Sequence, residues 1–198
     1  MDLKKIRKNI SYFLGWAALS TCSLIFARLP KRFIYGAARQ IAALGYLMAL
    51  KQRKIALESL EFAFGADKSR AEIQKIARDC FIYMAKGAAE VMFLLDKPDL
   101  LKSQVSIEGK EHFDNALARG KGVILVSAHY GNFPLMLCRL SLEGYKVNGI
   151  MRHMRDVRTE EFFVKKRNKV GIKMIYSQPR KACVDESIRA LRDNEALF

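Results

Sequence analysis

From Ile10 to Ala27 the chain runs ISYFLGWAALSTCSLIFA without a charge, between Lys4, Lys5, Arg7 and Lys8 on one side and Arg28, Lys31 and Arg32 on the other. That length is about the minimum for a bilayer span, and the RLPKR that follows offers no small-residue cleavage site. The pattern predicts a retained N-terminal anchor that crosses the membrane, with a helix packed on the domain or lying in the interface as the alternative; basic residues at both ends leave its orientation open. A second apolar run, Phe33 to Leu50, is interrupted by Arg39 and Gln40, and because arginine is costly in hydrocarbon it reads as an amphipathic or core helix. Lys51 to Phe64 sets Ile55, Leu57, Leu60, Phe62 and Phe64 among charges, a helix ended by Gly65-Ala66-Asp67. Ser69 and Glu72 form a capping box that opens the next helix, on which Ile73, Ile76, Ala77, Cys80, Tyr83 and Met84 keep helical spacing toward the Asp96-Lys97-Pro98 break.

After Pro98 the periodicity changes. VSIEG (105–109) reads as a short strand, 111–120 as a helix closed by Gly120, and GVILVSAH (122–129) as a buried strand rich in β-branched residues. The cycle repeats with a helix over 133–143, a strand over 145–151, a helix near 159–170, a strand over 172–176, a helix over 180–192 and the start of a further strand at the end. Such alternation argues for parallel pairing through crossovers. The expected fold is therefore α/β, a central, mostly parallel sheet flanked by helices, preceded by an N-terminal membrane-anchoring helix and a helical lead-in. The boundaries fall at 1–32 for the anchor, 33–104 for a lead-in that packs on the core, and 105–198 for the core.

Charge sharpens this picture. Lysine and arginine number 35 against 20 acids, giving a net charge of +15, which draws polyanions: anionic lipid, an acidic carrier protein or nucleic acid. The long uncharged run moves the weight to lipid, and the sparse aromatic residues of 146–173 count against nucleic acid. In that same stretch Lys146, Arg152, Arg155, Arg158, Lys165, Lys166, Arg167, Lys169 and Lys173 face only Asp156, Glu160 and Glu161. Cys22, Cys80, Cys138 and Cys183 are too far apart for a metal set and read as reduced, mostly buried thiols; no metal is assigned.

The chemistry concentrates at His129, which ends the most hydrophobic strand and precedes Tyr130-Gly131-Asn132 and a helix with Pro134 in its first turn. Open parallel sheets place ligand sites at the carboxyl ends of their strands. Asn132 suits the N-cap of that helix. Arg152 ends the next strand, within reach of the same edge, and Gly120-Lys121-Gly122 is a helix stop rather than a phosphate loop. His112 and His153 belong to no metal set, and nothing in the sequence brings Glu90 to His129.

These residues also carry a resemblance. Ile107-Glu108-Gly109, the run GKGVILVSAH, Gly131-Asn132, Met151-Arg152, and Arg167 with Gly171, together with KQRKIALESLEFAF upstream, resemble the lipid A biosynthesis lauroyl/myristoyl acyltransferases over nearly the whole chain. The resemblance implies a membrane-bound O-acyltransferase that moves a fatty acyl chain from acyl carrier protein or acyl-CoA to a hydroxyl of a lipid A precursor or related lysolipid, without a cofactor. It supports His129 and Arg152 as site residues; the chemistry of acyl transfer makes His129 the natural general base and Arg152 a group to stabilise the oxyanion or grip a lipid phosphate, and Asn132, Arg155 and Arg167 are expected to bind substrate. The partners implied are a membrane glycolipid, acyl carrier protein and an anionic surface; the location implied is the cytoplasmic face of a bacterial inner membrane. The family motif carries an acid five residues after the histidine, where this chain has Pro134. Family members also continue past the last residue here, so the core is expected to be truncated, as a shortened protein or part of a longer one. A catalytically impaired lipid-binding relative of the same fold is the alternative reading.

Overall fold

The computed structural model describes residues 3–198; Met1 and Asp2, which open the expected anchor, lie outside the described residues. Contacts gather into two compact units, the residues up to Leu24 together with 93–198, and 25–92.

Helix α1 (Leu3–Arg28) contains the uncharged run and is mostly exposed; by length and composition it is long and apolar enough to cross a membrane. Within 25–92, helix α2 (Lys31–Met48) buries Ile34, Ala38, Ala42 and Tyr46, a stripe at intervals of four. Tyr46 meets Phe81 edge to face at 5.3 Å, and the Tyr35 hydroxyl donates to Glu90. Helix α3 (Leu50–Phe64) buries none of its residues fully. The predicted capping box opens helix α4 (Arg70–Leu94): the backbone N–H and the hydroxyl of Ser69 both donate to Glu72, at 2.8 and 2.7 Å.

The other unit holds the sheet. Helices α5 (Pro98–Gln104) and α6 (Lys110–Leu117) lead to strand β1 (Val123–Ile124), helix α7 (Phe133–Leu142), strand β2 (Val147–Met151), helix α8 (Val157–Lys169), strand β3 (Lys173–Tyr176), helix α9 (Arg180–Arg192) and strand β4 (Ala196–Leu197). The strands pair in the order β1-β4-β2-β3, all parallel, with Val123 and Val147 flanking Ala196 and Met151 opposite Tyr176. All four therefore present their carboxyl ends on one edge. Val147, Ile175, Ala190, Ala196 and Leu197 are buried beneath it. Buried Asn148 donates to Glu195 at 2.8 Å and to the Ala196 carbonyl at 3.2 Å, which fixes the short central strand β4 against β2. Gly122 has φ +69°, and a Cβ there would stand 2.6 Å from the Leu191 carbonyl oxygen, so the entry to β1 can approach α9 only as glycine.

Three expectations are corrected. Residues 105–109 form no strand: Val105 caps α5, its carbonyl accepts Arg139 Nε at 2.7 Å, and Gly109 turns left-handed at φ 68° to start α6. The strand expected over 122–129 pairs only at Val123 and Ile124, with one further bond from Leu125 N–H to the Leu197 carbonyl, and it is not buried. It lies at the sheet edge against a two-residue partner, so Ile124 is 64% and Val126 91% exposed. Of the four free thiols Cys138 is buried, Cys22 and Cys183 are partly covered, and Cys80 is exposed; α4 turns Cys80 outward although its position fits the apolar spacing.

Candidate functional site

Beyond Leu125 the chain leaves the sheet and carries His129 on an exposed loop at the carboxyl edge. Gly131 takes φ 65°, which lets the loop turn into α7. Asn132 occupies the N-cap position through its backbone: its carbonyl accepts the Leu135 N–H at 2.9 Å, while its side chain makes no capping bond. The His129 ring lies 4.4 Å from that of Phe133, which stacks at 6.1 Å on Phe198. Phe198 is held by backbone bonds to Asn148 and Ile150, both 2.8 Å, so an aromatic row follows the strand ends from β1 toward β2.

Arg152 directly follows β2 and is exposed, as is Arg155 in the bend before α8. Because β4 separates β1 from β2, these strands lie about 10 Å apart side by side, and Ile124, which ends β1, is level with Asn148 rather than with Met151, which ends β2. Asp156 caps α8, accepting the Thr159 N–H at 3.1 Å, and pairs with Arg158 at 2.8 Å. The Arg158 guanidinium also lies 5.5 Å over the Phe13 ring, which ties the first half of α1 to the start of α8. The arginine-rich bend therefore stands beside the most lipid-like helix of its unit.

Arg167, on the last turn of α8, is the most unusual of the expected residues. Its Nη1 meets Met151 Sδ at 2.9 Å, but Nε and Nη2 are buried without a hydrogen-bond partner. Burial lowers its pKa, and the nearby Tyr176, Glu160 and Cys138 act in the opposite sense; a guanidinium nonetheless stays charged near neutrality. A desolvated cation with two unused donor groups at the ends of β2 and β3 is a ready receptor for an oxyanion. Cys138, on the buried face of α7 close enough to sense this charge, is itself pushed up to about 12 by burial and remains a thiol.

The structure gives His153, to which the sequence assigned no role, a defined setting. His153 stacks on Tyr176 at 3.7 Å with 12° between the rings, and its Nδ1 lies 2.9 Å from Glu160. The Tyr176 hydroxyl bonds the same carboxylate, holding Glu160 below its ordinary range and raising Tyr176. This assembly gathers only because β2 and β3 pair in register and α8 returns between them; no spacing in the sequence announces it. Among the described residues the histidines paired with carboxylates are His112 and His153, not His129. At the position of the expected acid, Pro134 forms part of the first turn of α7.

The arrangement provides an accessible imidazole, an exposed arginine just after β2, a half-buried arginine with two unpartnered buried nitrogens, and an aromatic border along one edge. A family model described as bacterial lipid A biosynthesis acyltransferase matches residues 2–198. No curated protein matches the chain.

Proposed function

The chain belongs to the bacterial lipid A biosynthesis acyltransferase family, and from that premise we propose that it transfers a fatty acyl chain to a lipid hydroxyl with His129 as general base. The observation that carries this reading is the exposure of His129 and Arg152 on one carboxyl edge of a parallel sheet. His129 takes the proton of the acceptor hydroxyl as the oxygen attacks the thioester carbonyl. Arg152 stabilises the tetrahedral oxyanion, the carbonyl re-forms, and the C–S bond breaks to release the donor thiol once the thiolate takes up a proton. Arg167 and Arg155 grip acidic groups of the acceptor, and Asn132 lines the entry to the site. The donor is acyl carrier protein or acyl-CoA, and the acceptor a lipid A precursor or related lysolipid. The basic surface over 146–173 suits an acidic carrier and an anionic leaflet. We place the protein at the bacterial inner membrane with this edge on the cytoplasmic side.

The alternative, a lipid-binding relative with weakened chemistry, is favoured by one feature: the residue five positions after His129 is Pro134, not an acid. Transfer of labelled acyl chain from acyl carrier protein to a lipid A precursor, in membranes that contain the full chain, separates the two. Replacing His129 by Ala should lower the rate by about 10²–10⁴-fold while leaving the protein in the membrane fraction. Equal rates would remove His129 as base; transfer absent from the unaltered chain with every donor and acceptor tried would favour the binding protein.

A further inference from the structure

Helix α2 has two apolar faces, and only one is packed. Ile34, Ala38, Ala42 and Tyr46 are buried, whereas Phe33, Ile41, Leu44, Leu47 and Met48 are between 52% and 80% exposed. At about 100° per residue the exposed set forms one stripe roughly opposite the buried one, with Gln40 the polar residue within it. Soluble proteins seldom leave so much contiguous apolar helix uncovered. Arg32 and Arg39, both exposed and seven residues apart, run along one border of the stripe, and exposed Lys51 follows its end.

Three observations decide what covers it. From Ile25 to Leu57 the sequence holds seven lysines and arginines and no Asp or Glu, so α2 and its flanking segments disfavour cationic partners and attract an anionic surface. The opposite face is occupied by protein contacts such as Tyr46 on Phe81, and α3 departs at 89°, so α2 is not one stretch of a continuous span surrounded by lipid. Arg39 at mid-helix would be costly in hydrocarbon, but on the border of the stripe it reaches headgroup phosphates.

We infer that α2 lies along the interface of an anionic bilayer, with the Phe33–Ile41–Leu44–Leu47 stripe in the acyl chains and Arg32 and Arg39 at the phosphates, as a second membrane contact besides α1. A helix held in this way sits about 5–10 Å into the boundary between headgroups and chains. This contact is independent of the acyl transfer reaction and persists in a chain that has lost activity.

The test uses the full chain in vesicles of phosphatidylethanolamine and phosphatidylglycerol, 3:1 in the mixture, containing a bilayer-soluble diazirine. After photolysis, mass spectrometry maps the inserted carbenes. Phe33, Ile41, Leu44 and Leu47 should be labelled several-fold above Glu58 and Glu61, the labelling should fall several-fold when phosphatidylglycerol is omitted, and dilution of protein in lipid should leave it unchanged. Labelling of the stripe no higher than that of Glu58 and Glu61, or independent of anionic lipid, overturns the inference. Labelling that rises as protein is diluted in lipid shows a second copy of the chain on this face and overturns it as well. As a further check, I41D together with L44D should reduce α2 labelling to background while α1 remains labelled; unchanged labelling at Phe33 and Leu47 in that variant is also a refutation.

Discussion

Replacing Arg167 by Met should make the protein more stable and less active at once. Met keeps the unbranched stem and its packing but removes a desolvated charge. The two buried nitrogens without partners, Nε and Nη2, each impose a desolvation cost of about 1–3 kcal/mol. Against this stand the attraction to Glu160 and Tyr176 and the contact with Met151 sulfur, a weak acceptor. The net gain should be about 1–3 kcal/mol, which for a chain of this size raises Tm by roughly 2–4 °C for each kcal/mol. Differential scanning fluorimetry in detergent reads the stability, and the labelled-acyl assay reads transfer, which should fall about 100-fold or more if Arg167 binds a substrate oxyanion. A guanidinium kept only for structure would show the reverse, a lower Tm with transfer retained in proportion to folded protein. That result would refute the reasoning.

Pro134→Glu should increase transfer about tenfold or more: the carboxylate would sit at the N-terminus of α7, one turn from Cys138, whose thiol senses the Arg167 charge, and an unchanged rate in folded protein would show that His129 needs no acid there. Asp96→Asn should cost about 3–5 kcal/mol near neutrality, because Asp96 accepts from both Lys166, which is 6% exposed, and Lys169. Burial pushes the Asp96 carboxyl up, but the two lysines outweigh it and hold it below its ordinary range; its contribution is present above about pH 4 and lost as pH falls through the lowered value. Urea midpoints from pH 7 to pH 3 should therefore decline more steeply in the unaltered protein than in the variant, and parallel declines would exclude the pair as their source. Gly122→Ala should cost about 3 kcal/mol or more and Gly120→Ala only about 1–2, since both glycines have φ near +69° but only Gly122 would press a Cβ against the Leu191 backbone. Equal losses in urea unfolding would remove that close approach as the cause.

Periodicity served best where a segment settles its own structure. Helix α9 begins and ends where the pattern of 180–192 puts it, and the Ser69–Glu72 box forms as a local device needs no tertiary help. It failed where a distant group decided the outcome. VSIEG has strand-forming residues, but its Val105 carbonyl is taken by Arg139 from a helix more than thirty positions away. The β-branched run 122–129 has the composition of a buried strand, yet burial depends on having neighbours on both sides, and the order β1-β4-β2-β3 places it at the edge.

The same distinction separates the parts of the candidate site. The position of Arg152 just after β2 was legible because the carboxyl edge of a parallel sheet is a place that a sequence can point to, whereas His129 lies on a loop five residues past the end of β1 rather than at the strand end expected for it. The His153–Tyr176–Glu160 assembly was not legible, because its members come from three elements and meet only through the pairing of Met151 with Tyr176. Arg167 lies between these cases: its residue type suggested acid binding, but its lack of partners for Nε and Nη2 is a property of the folded surroundings alone. A protein bears buried, under-bonded charge at a cost in stability, and at the end of two adjacent strands that cost is best explained by a ligand that supplies the missing acceptors. An energetic liability, and not the position of a histidine alone, thus favours a site on this edge.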